Sequence, residues 1–270
     1  MKDRRLLLLQ RRARFLGLAA LSPLDRVVLR INGKGDYPPL HLRRHSGPLV
    51  AFDRAASEFV GYLAALTDLG PSSNVLDMGC GSGALAIMLR ERLVDGSYRG
   101  FDVHQPSVRW ARSHLGDDRF EFQDFDYWNA TYNPEGERHR PWPVDDRWAD
   151  VTLLKSVFTH MLPEDVAFYL AELARTLRPG ARAIATAFTF DEVDDEVRDA
   201  FPHEGDGHRH LRPTSPESAI AFPRAWLLDT ARAVGLVPQL HLGYWRRQQE
   251  RPLAYQDVMV LSAASSEPSA

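Results

Sequence analysis

Apolar positions change period several times along this chain. From Phe52 to Leu69 they recur at helical spacing (Phe59, Val60, Leu63, Leu66), and Gly70-Pro71 predicts the stop. Asn74 to Met78 is a short apolar strand running straight into Gly79-Cys80-Gly81-Ser82-Gly83, after which Ala84 to Leu93 returns to helical spacing. Tyr98 to Val103 predicts a second strand, and Pro106 opens a second helix, where a missing N–H costs nothing. Phe120-Glu121-Phe122 alternates like a third strand. Val151 to Leu154 is a continuous apolar run, as in a strand buried on both faces. Glu164 to Leu177 predicts a helix, stopped by Arg178-Pro179-Gly180 before a strand over Ala181 to Phe188. A helix from about Glu217 to Val234 and strands over Val237–Tyr244 and Tyr255–Leu261 complete the pattern.

Strand and helix alternating at this spacing predict an α/β fold with a doubly wound, mostly parallel sheet. Two stretches break the rhythm, about 127–148 and 189–216, and loops of that length in a compact domain act as lids or stay disordered. The expected organisation is a helical N-terminal cover over 1–50, a main domain over 51–262 and a disordered tail over 263–270. Met1 to Leu21 loosely imitates a signal peptide, but Arg11, Arg12 and Arg14 interrupt its apolar stretch. An amphipathic helix is the better reading.

Composition narrows the partners. The chain has 270 residues, 44% hydrophobic and 26% charged, with a formal net charge of -3. That balance gives no reason to expect nucleic acid or an acidic membrane. Cys80 is the only cysteine, which excludes an internal disulfide and a cysteine-based zinc cage and suits a reducing cytoplasm. Nothing in the pattern sets the oligomeric state, and a homodimer is compatible with it.

The most informative stretch is Val75-Leu76-Asp77-Met78-Gly79-Cys80-Gly81-Ser82-Gly83. Glycines at a strand-to-helix turn let the backbone approach a ligand closely, and the next helix offers free N–H groups. Gly79, Gly81 and Ala84 also satisfy a dinucleotide fingerprint, so the loop alone is ambiguous. Asp77 and Asp102 favour a different nucleoside cofactor. A carboxylate at the end of the first strand suits the cationic amino group of a methionine moiety and would repel a pyrophosphate. Asp102, ending the second strand, can accept both ribose hydroxyls. Cys80 reads as a small loop residue rather than a nucleophile.

This stretch resembles motif I of the class I S-adenosylmethionine-dependent methyltransferases, and the similarity runs over roughly residues 37–262. Tyr98-Arg99-Gly100-Phe101-Asp102 resembles the ribose-binding strand end. Ala149 to Phe188, with Ser156-Val157-Phe158-Thr159-His160-Met161-Leu162 and Leu177-Arg178-Pro179-Gly180, resembles the fourth strand, helix and fifth strand. Tyr37 to Arg43, Gly243-Tyr244-Trp245 and Tyr255-Gln256-Asp257 resemble a bacterial small-molecule and saccharide-linked subset. The resemblance implies a Rossmann-like, seven-stranded sheet whose last strand is antiparallel and inserted beside the sixth. It implies S-adenosyl-L-methionine as cofactor, with Asp77, Gly79, Cys80, Gly81, Gly83, Asp102, Val103, Asp126, Tyr127 and Ser156 around it. Asp124 competes with Asp126 for the place beside the adenine.

Methyl transfer to a hydroxyl is an in-line displacement in which the acceptor must also lose a proton, which favours a histidine or carboxylate nearby. His160, a few residues past the fourth strand, is the first candidate base, with His208 and His210 in the second insert behind it. His208 and His210 resemble a metal pair, but alternating residues in a glycine-rich loop read better as a solvated lid, and no metal is expected. Tyr37, His41, Tyr132, His160 and Trp245 are candidates for acceptor contacts. The expected activity is O-methylation of a small molecule such as a sugar or polyketide. N- or C-methylation, an NAD-dependent oxidoreductase and a non-catalytic cofactor-binding protein stay open.

Overall fold

The computed structural model describes residues 2–43, 52–129, 133–246 and 253–265, with side chains from residue 16 onward. Five strands form the central parallel part of the sheet: β1 (Val75–Met78), β2 (Tyr98–Asp102), β3 (Phe120–Asp124), β4 (Ala149–Leu154) and β5 (Leu177–Phe190), and a short strand over Ile220–Pro223, later in the chain, pairs parallel with β5. Their order is β3-β2-β1-β4-β5, which reverses direction at β1. β10 (Asp257–Ala263) lies antiparallel between β5 and β9 (Leu236–His241). The seven-stranded arrangement with an inserted antiparallel last strand is therefore present.

Helices cover both faces. α3 (Phe52–Leu66), α4 (Ala84–Leu89) and α5 (Gln105–Leu115) pack with Val75, Tyr98, Phe120, Val151 and Ile184 in one core layer. α6 (Pro163–Thr176) and α8 (Arg224–Ala233) lie with Leu76, Phe101, Leu154, Ala185 and Met259 in the other. Strand neighbours such as Val75–Leu76 and Leu153–Leu154 thus divide between two buried layers, which is why these strands read as unbroken apolar runs. Each fully buried Leu or Phe contributes about 1.5–3 kcal/mol.

The second insert differs from the expectation of a loose lid. α7 (Asp195–Ala200) is followed by a hairpin, β6 (His203–Gly205) and β7 (His208–His210), and β8 (Ile220–Pro223) joins that hairpin to the far end of β5. The expected helix from Glu217 accordingly starts only at Arg224. Pro223 cannot donate inside a helix, and the apolar run Ile220-Ala221-Phe222 is taken up by the sheet. The N-terminal α1 (Lys2–Ile31) ends near Gly33 (φ 70°), and α2 (Leu40–Arg43) follows it. On α1, Leu29 is buried, whereas Leu16, Leu21, Leu24, Val27, Val28 and Ile31 are exposed. The tail beyond 265 lies outside the described residues.

Candidate active site

Crevices in open α/β sheets form beyond the carboxyl ends of the strands where the order reverses. Here a cavity of about 870 Å³ opens there, against the ends of β1, β2 and β4. Asp77, Gly79, Cys80, Gly81, Asp102, Val103, Tyr127, Ser156 and His160 all line it.

The glycine loop is held from behind. Gly81 N–H donates to Asp102 Oδ2 (2.8 Å), and His104 N–H donates to Oδ1 of the same carboxylate (2.7 Å). Gly79 takes φ 89°, and a Cβ there would stand 2.6 Å from Val157 Cγ2. The segment after β4 therefore closes over the loop at a distance only glycine permits. Gly83 also has a positive φ of 80°, but a Cβ on it would meet Leu115 and Phe122, so it serves packing and does not face the cavity. Cys80 is buried, and burial pushes its thiol well up, which makes it inert as a nucleophile.

Asp77 is the most buried carboxylate of the wall. Tyr98 Oη donates to its Oδ2 (2.6 Å), and Oδ1 is buried with no partner among the described residues. Burial and the nearby Asp102 push its pKa up to about 7, while Tyr98 and Lys155 pull it down. A buried carboxylate oxygen without a donor is destabilising unless a cation or N–H meets it. Asp102 is likewise shifted upward by burial, and His104 downward.

The remaining sequence candidates separate. Phe125 and Tyr127 point inward, with rings stacked at 6.4 Å; alternation then turns Asp126 outward, to Asn133 Nδ2 (2.9 Å) and Arg140 (3.6 Å). Asp124 pairs with Arg112 (3.6 Å), and neither carboxylate lines the cavity. His208 and His210 sit on the β6–β7 hairpin, where His208 tilts against His210 at 5.4 Å and His203 stacks on His210 at 5.6 Å, away from the cavity wall. Trp245 does not line it either. Its indole donates to Asp257 Oδ1 (3.1 Å) and packs on Phe188 and Phe201, pinning the end of β10. Tyr37 packs on Phe52 (5.3 Å), and the ring nitrogen Nδ1 of His41 meets Ser22 Oγ (3.0 Å), outside the lining. Tyr132 lies outside the described residues. His160 Nδ1 is 2.8 Å from the Glu217 carbonyl oxygen, so Nδ1–H is the donor of that bond.

Sequence reasoning missed the outer half of the cavity: Arg54, Glu58, Phe59 and Tyr62 from α3, Lys155 after β4, and Tyr244, Tyr255 and Gln256 around the start of β10. The Tyr62 hydroxyl donates to the Leu253 carbonyl, tying α3 to that late segment.

Residues 75–180 match the family model for a methyltransferase domain. That match spans 106 of the 270 residues and takes in the glycine loop, Asp102 and Lys155. Solved structures share its fold at low identity. A SAM-dependent methyltransferase from Methanosarcina mazei is 17% identical, with a TM-score of 0.51, covering 73% of this chain and 95% of the other. The [4+2]-cyclase SpnF is 17% identical, with a TM-score of 0.56 and coverages of 79% and 83%. A geranyl diphosphate methyltransferase in complex with SAM is 15% identical, with a TM-score of 0.52 and coverages of 77% and 84%.

The methyltransferase domain fits its cofactor on its own geometry. The unpartnered Asp77 Oδ1 suits an ammonium, Gly79 and Gly81 line the cavity in left-handed backbone (φ 89° and 55°), and Asp102 stands at the β2 end for hydroxyls. When bound, S-adenosylmethionine supplies an activated methyl group on a sulfonium. The chain contributes placement: two pinned carboxylates, a fixed glycine turn and the Ser156–Thr186–Gln256 hydrogen bonds that set the far wall. Among the described residues no helix is long and apolar enough to cross a membrane.

Proposed function

We propose that this methyltransferase transfers the methyl group to a hydroxyl oxygen of a small molecule. The observation that carries the reading is the shape of the cavity. It continues past Asp77 into an outer half walled by Phe59, Tyr62, Tyr244 and Tyr255, on a scale that suits a small acceptor beside the cofactor. The formal net charge of -3 argues against a nucleic-acid acceptor. The geranyl diphosphate methyltransferase that shares the fold is named for a small-molecule acceptor, which is compatible with this reading and leaves the methylated atom to be measured. His160 is a further polar group on the wall, and its Nδ1–H bond to the Glu217 carbonyl holds the turn between β4 and α6. The single cysteine suits a cytoplasmic setting.

Isothermal titration calorimetry with S-adenosylhomocysteine, with NAD as control, tests the cofactor. Micromolar binding of the former alone is expected, followed by methyl transfer to members of a panel of hydroxylated sugars, polyketides and phenols. Binding of NAD alone would overturn the reading in favour of an oxidoreductase. Methylation confined to amines or carbon acceptors would overturn the oxygen assignment.

A further inference from the structure

Two cations of the Lys and Arg type line the cavity among the described residues; Arg54 is paired with Glu58, which leaves Lys155. Lys155 directly follows β4, two positions beyond Leu153, which is in register with Asp77 on β1. It lines the cavity half-buried, with Nζ 5.4 Å from the Phe59 ring centroid. Among the described residues no hydrogen bond or ion pair fixes its ammonium. Electrostatic neighbours order the wall around it. Asp77 feels Asp102 on one side and Lys155 on the other; Lys155 feels Asp77 and Glu58; Tyr62 feels Glu58 and Tyr244. Lys155 therefore stands where the cofactor half, marked by Asp102 and Asp77, meets the aromatic outer half.

The residue type matters as much as the place. Of 33 basic residues, only Lys2, Lys34 and Lys155 are lysine. An arginine would hold a carboxylate with a better fork but keeps its charge at any working pH, whereas a lysine amine can lose its proton when buried. Burial does shift Lys155 downward, against the opposing pull of Asp77 and Glu58, and Glu58 is itself engaged by Arg54 (2.8 Å).

We propose that Lys155 is the proton acceptor for the methyl acceptor, and that the acceptor group is a phenol or enol hydroxyl seated among Phe59, Tyr62, Tyr244 and Tyr255. This rests on the methyltransferase reading above and narrows its substrate. The acceptor O–H bond breaks and its proton passes to the lone pair of Lys155 Nζ, giving an ammonium. The oxygen's electron pair forms the new O–CH₃ bond as the S–CH₃ bond breaks, and that bonding pair returns to sulfur, leaving a neutral thioether. The ammonium then gives its proton to water. A proton acceptor works best on a donor of similar acidity. A lysine amine held below its ordinary value matches phenols and enols, and is far too weak a base for a sugar alcohol. The aromatic outer wall gives such flat acceptors faces to stack on.

With three lysines, the test is clean. The protein is labelled with [¹³C]lysine, and the ε-carbon signals are followed against pH in the wild type and in Lys155→Arg, with S-adenosylhomocysteine bound. The signal missing from Lys155→Arg should titrate below the other two. Both Lys155→Arg and Lys155→Met should bind S-adenosylhomocysteine within about threefold of wild type yet methylate simple phenols and enols about 10²–10⁴-fold more slowly. A Lys155 signal that titrates with the others, or wild-type turnover in Lys155→Arg, would overturn the proposal. Parallel loss of S-adenosylhomocysteine affinity would reassign Lys155 to the cofactor half. A wild type that methylates only sugars or aliphatic alcohols would remove the phenol or enol assignment. Failure of the wild type to bind S-adenosylhomocysteine would instead sink the methyltransferase reading itself.

Discussion

Tyr98 and Asp77 share a 2.6 Å hydrogen bond across the β1–β2 pair, and the opposite oxygen of that carboxylate has no partner among the described residues. The carboxylate is thus half-satisfied and shifted from near 3.8 to about 7. The folded chain then binds a proton on Asp77 over a range where the unfolded chain has already released it. Stability without cofactor should fall as pH rises from about 4 to about 7 and level off above. Asp77→Asn should remove that slope and stabilise the cofactor-free protein by about 1–4 kcal/mol near pH 8. It should also abolish S-adenosylhomocysteine binding. Thermal scans across pH decide this: a variant less stable than wild type near pH 8, with the slope retained, would remove Asp77 as the source of the cost.

Two glycines separate backbone strain from close approach. Gly180 has φ 78° and open space for 4 Å around the place a Cβ would take, whereas at Gly79 (φ 89°) a Cβ would lie 2.6 Å from Val157 Cγ2. Gly180→Ala should cost about 1–2 kcal/mol from left-handed strain alone. Gly79→Ala should cost about 1–3 kcal/mol more, because it adds overpacking, and Val157→Ala should recover only that added part. Urea unfolding of the single and double variants measures both. Equal costs at the two glycines would mean the β4 segment yields to the loop.

How much of this was legible in the sequence follows local physics. The strand ends carrying Asp77 and Asp102 could be read because an apolar run, a glycine loop and an acid occur together within a few residues. The β6–β7 hairpin could not, since strands of three residues such as His203–Glu204–Gly205 carry too little alternation to declare a period. Asp126, which the resemblance places beside the cofactor, faces away because the buried pair Phe125 and Tyr127 fixes the alternation and sends the carboxylate outward. Lys155 had a signal, a rare lysine directly after the buried run Val151–Leu154. Its neighbours Glu58, Tyr62 and Tyr244 come from opposite ends of the chain, and no local pattern joins them.

Ser156 holds φ 58° on the wall of the cavity, a conformation costly for a residue with a Cβ. Its hydroxyl donates to Gln256 Oε1 (3.0 Å), which also accepts from Thr186 Oγ1 (2.6 Å). Alanine and glycine at this position both lose the hydroxyl, but only glycine sheds the strain. Ser156→Gly should therefore be more stable than Ser156→Ala by about 0.5–1 kcal/mol, after the extra entropy of an unfolded glycine is subtracted. Chemical denaturation of the two variants reads the difference directly. An alanine variant that is the more stable of the two would show that no strain is stored there.

Asp102 carries two duties that ligand choice can separate. Its oxygens accept from Gly81 N–H at 2.8 Å and His104 N–H at 2.7 Å, so it pins the glycine loop to the start of α5 while facing the cavity. Asp102→Ala should weaken S-adenosylhomocysteine binding by about 1–3 kcal/mol, roughly 5- to 150-fold, through lost charge-assisted hydrogen bonds. If the loss comes from hydroxyls of the ribose, 5′-methylthioadenosine should lose the same factor, because it keeps the nucleoside and lacks the amino-acid head. If the loss comes from a loosened glycine loop, the ligand with the amino-acid head should suffer more. Calorimetric titration of both ligands against wild type and Asp102→Ala distinguishes the two. Unchanged affinity for both in a folded variant would remove Asp102 from the cofactor site altogether.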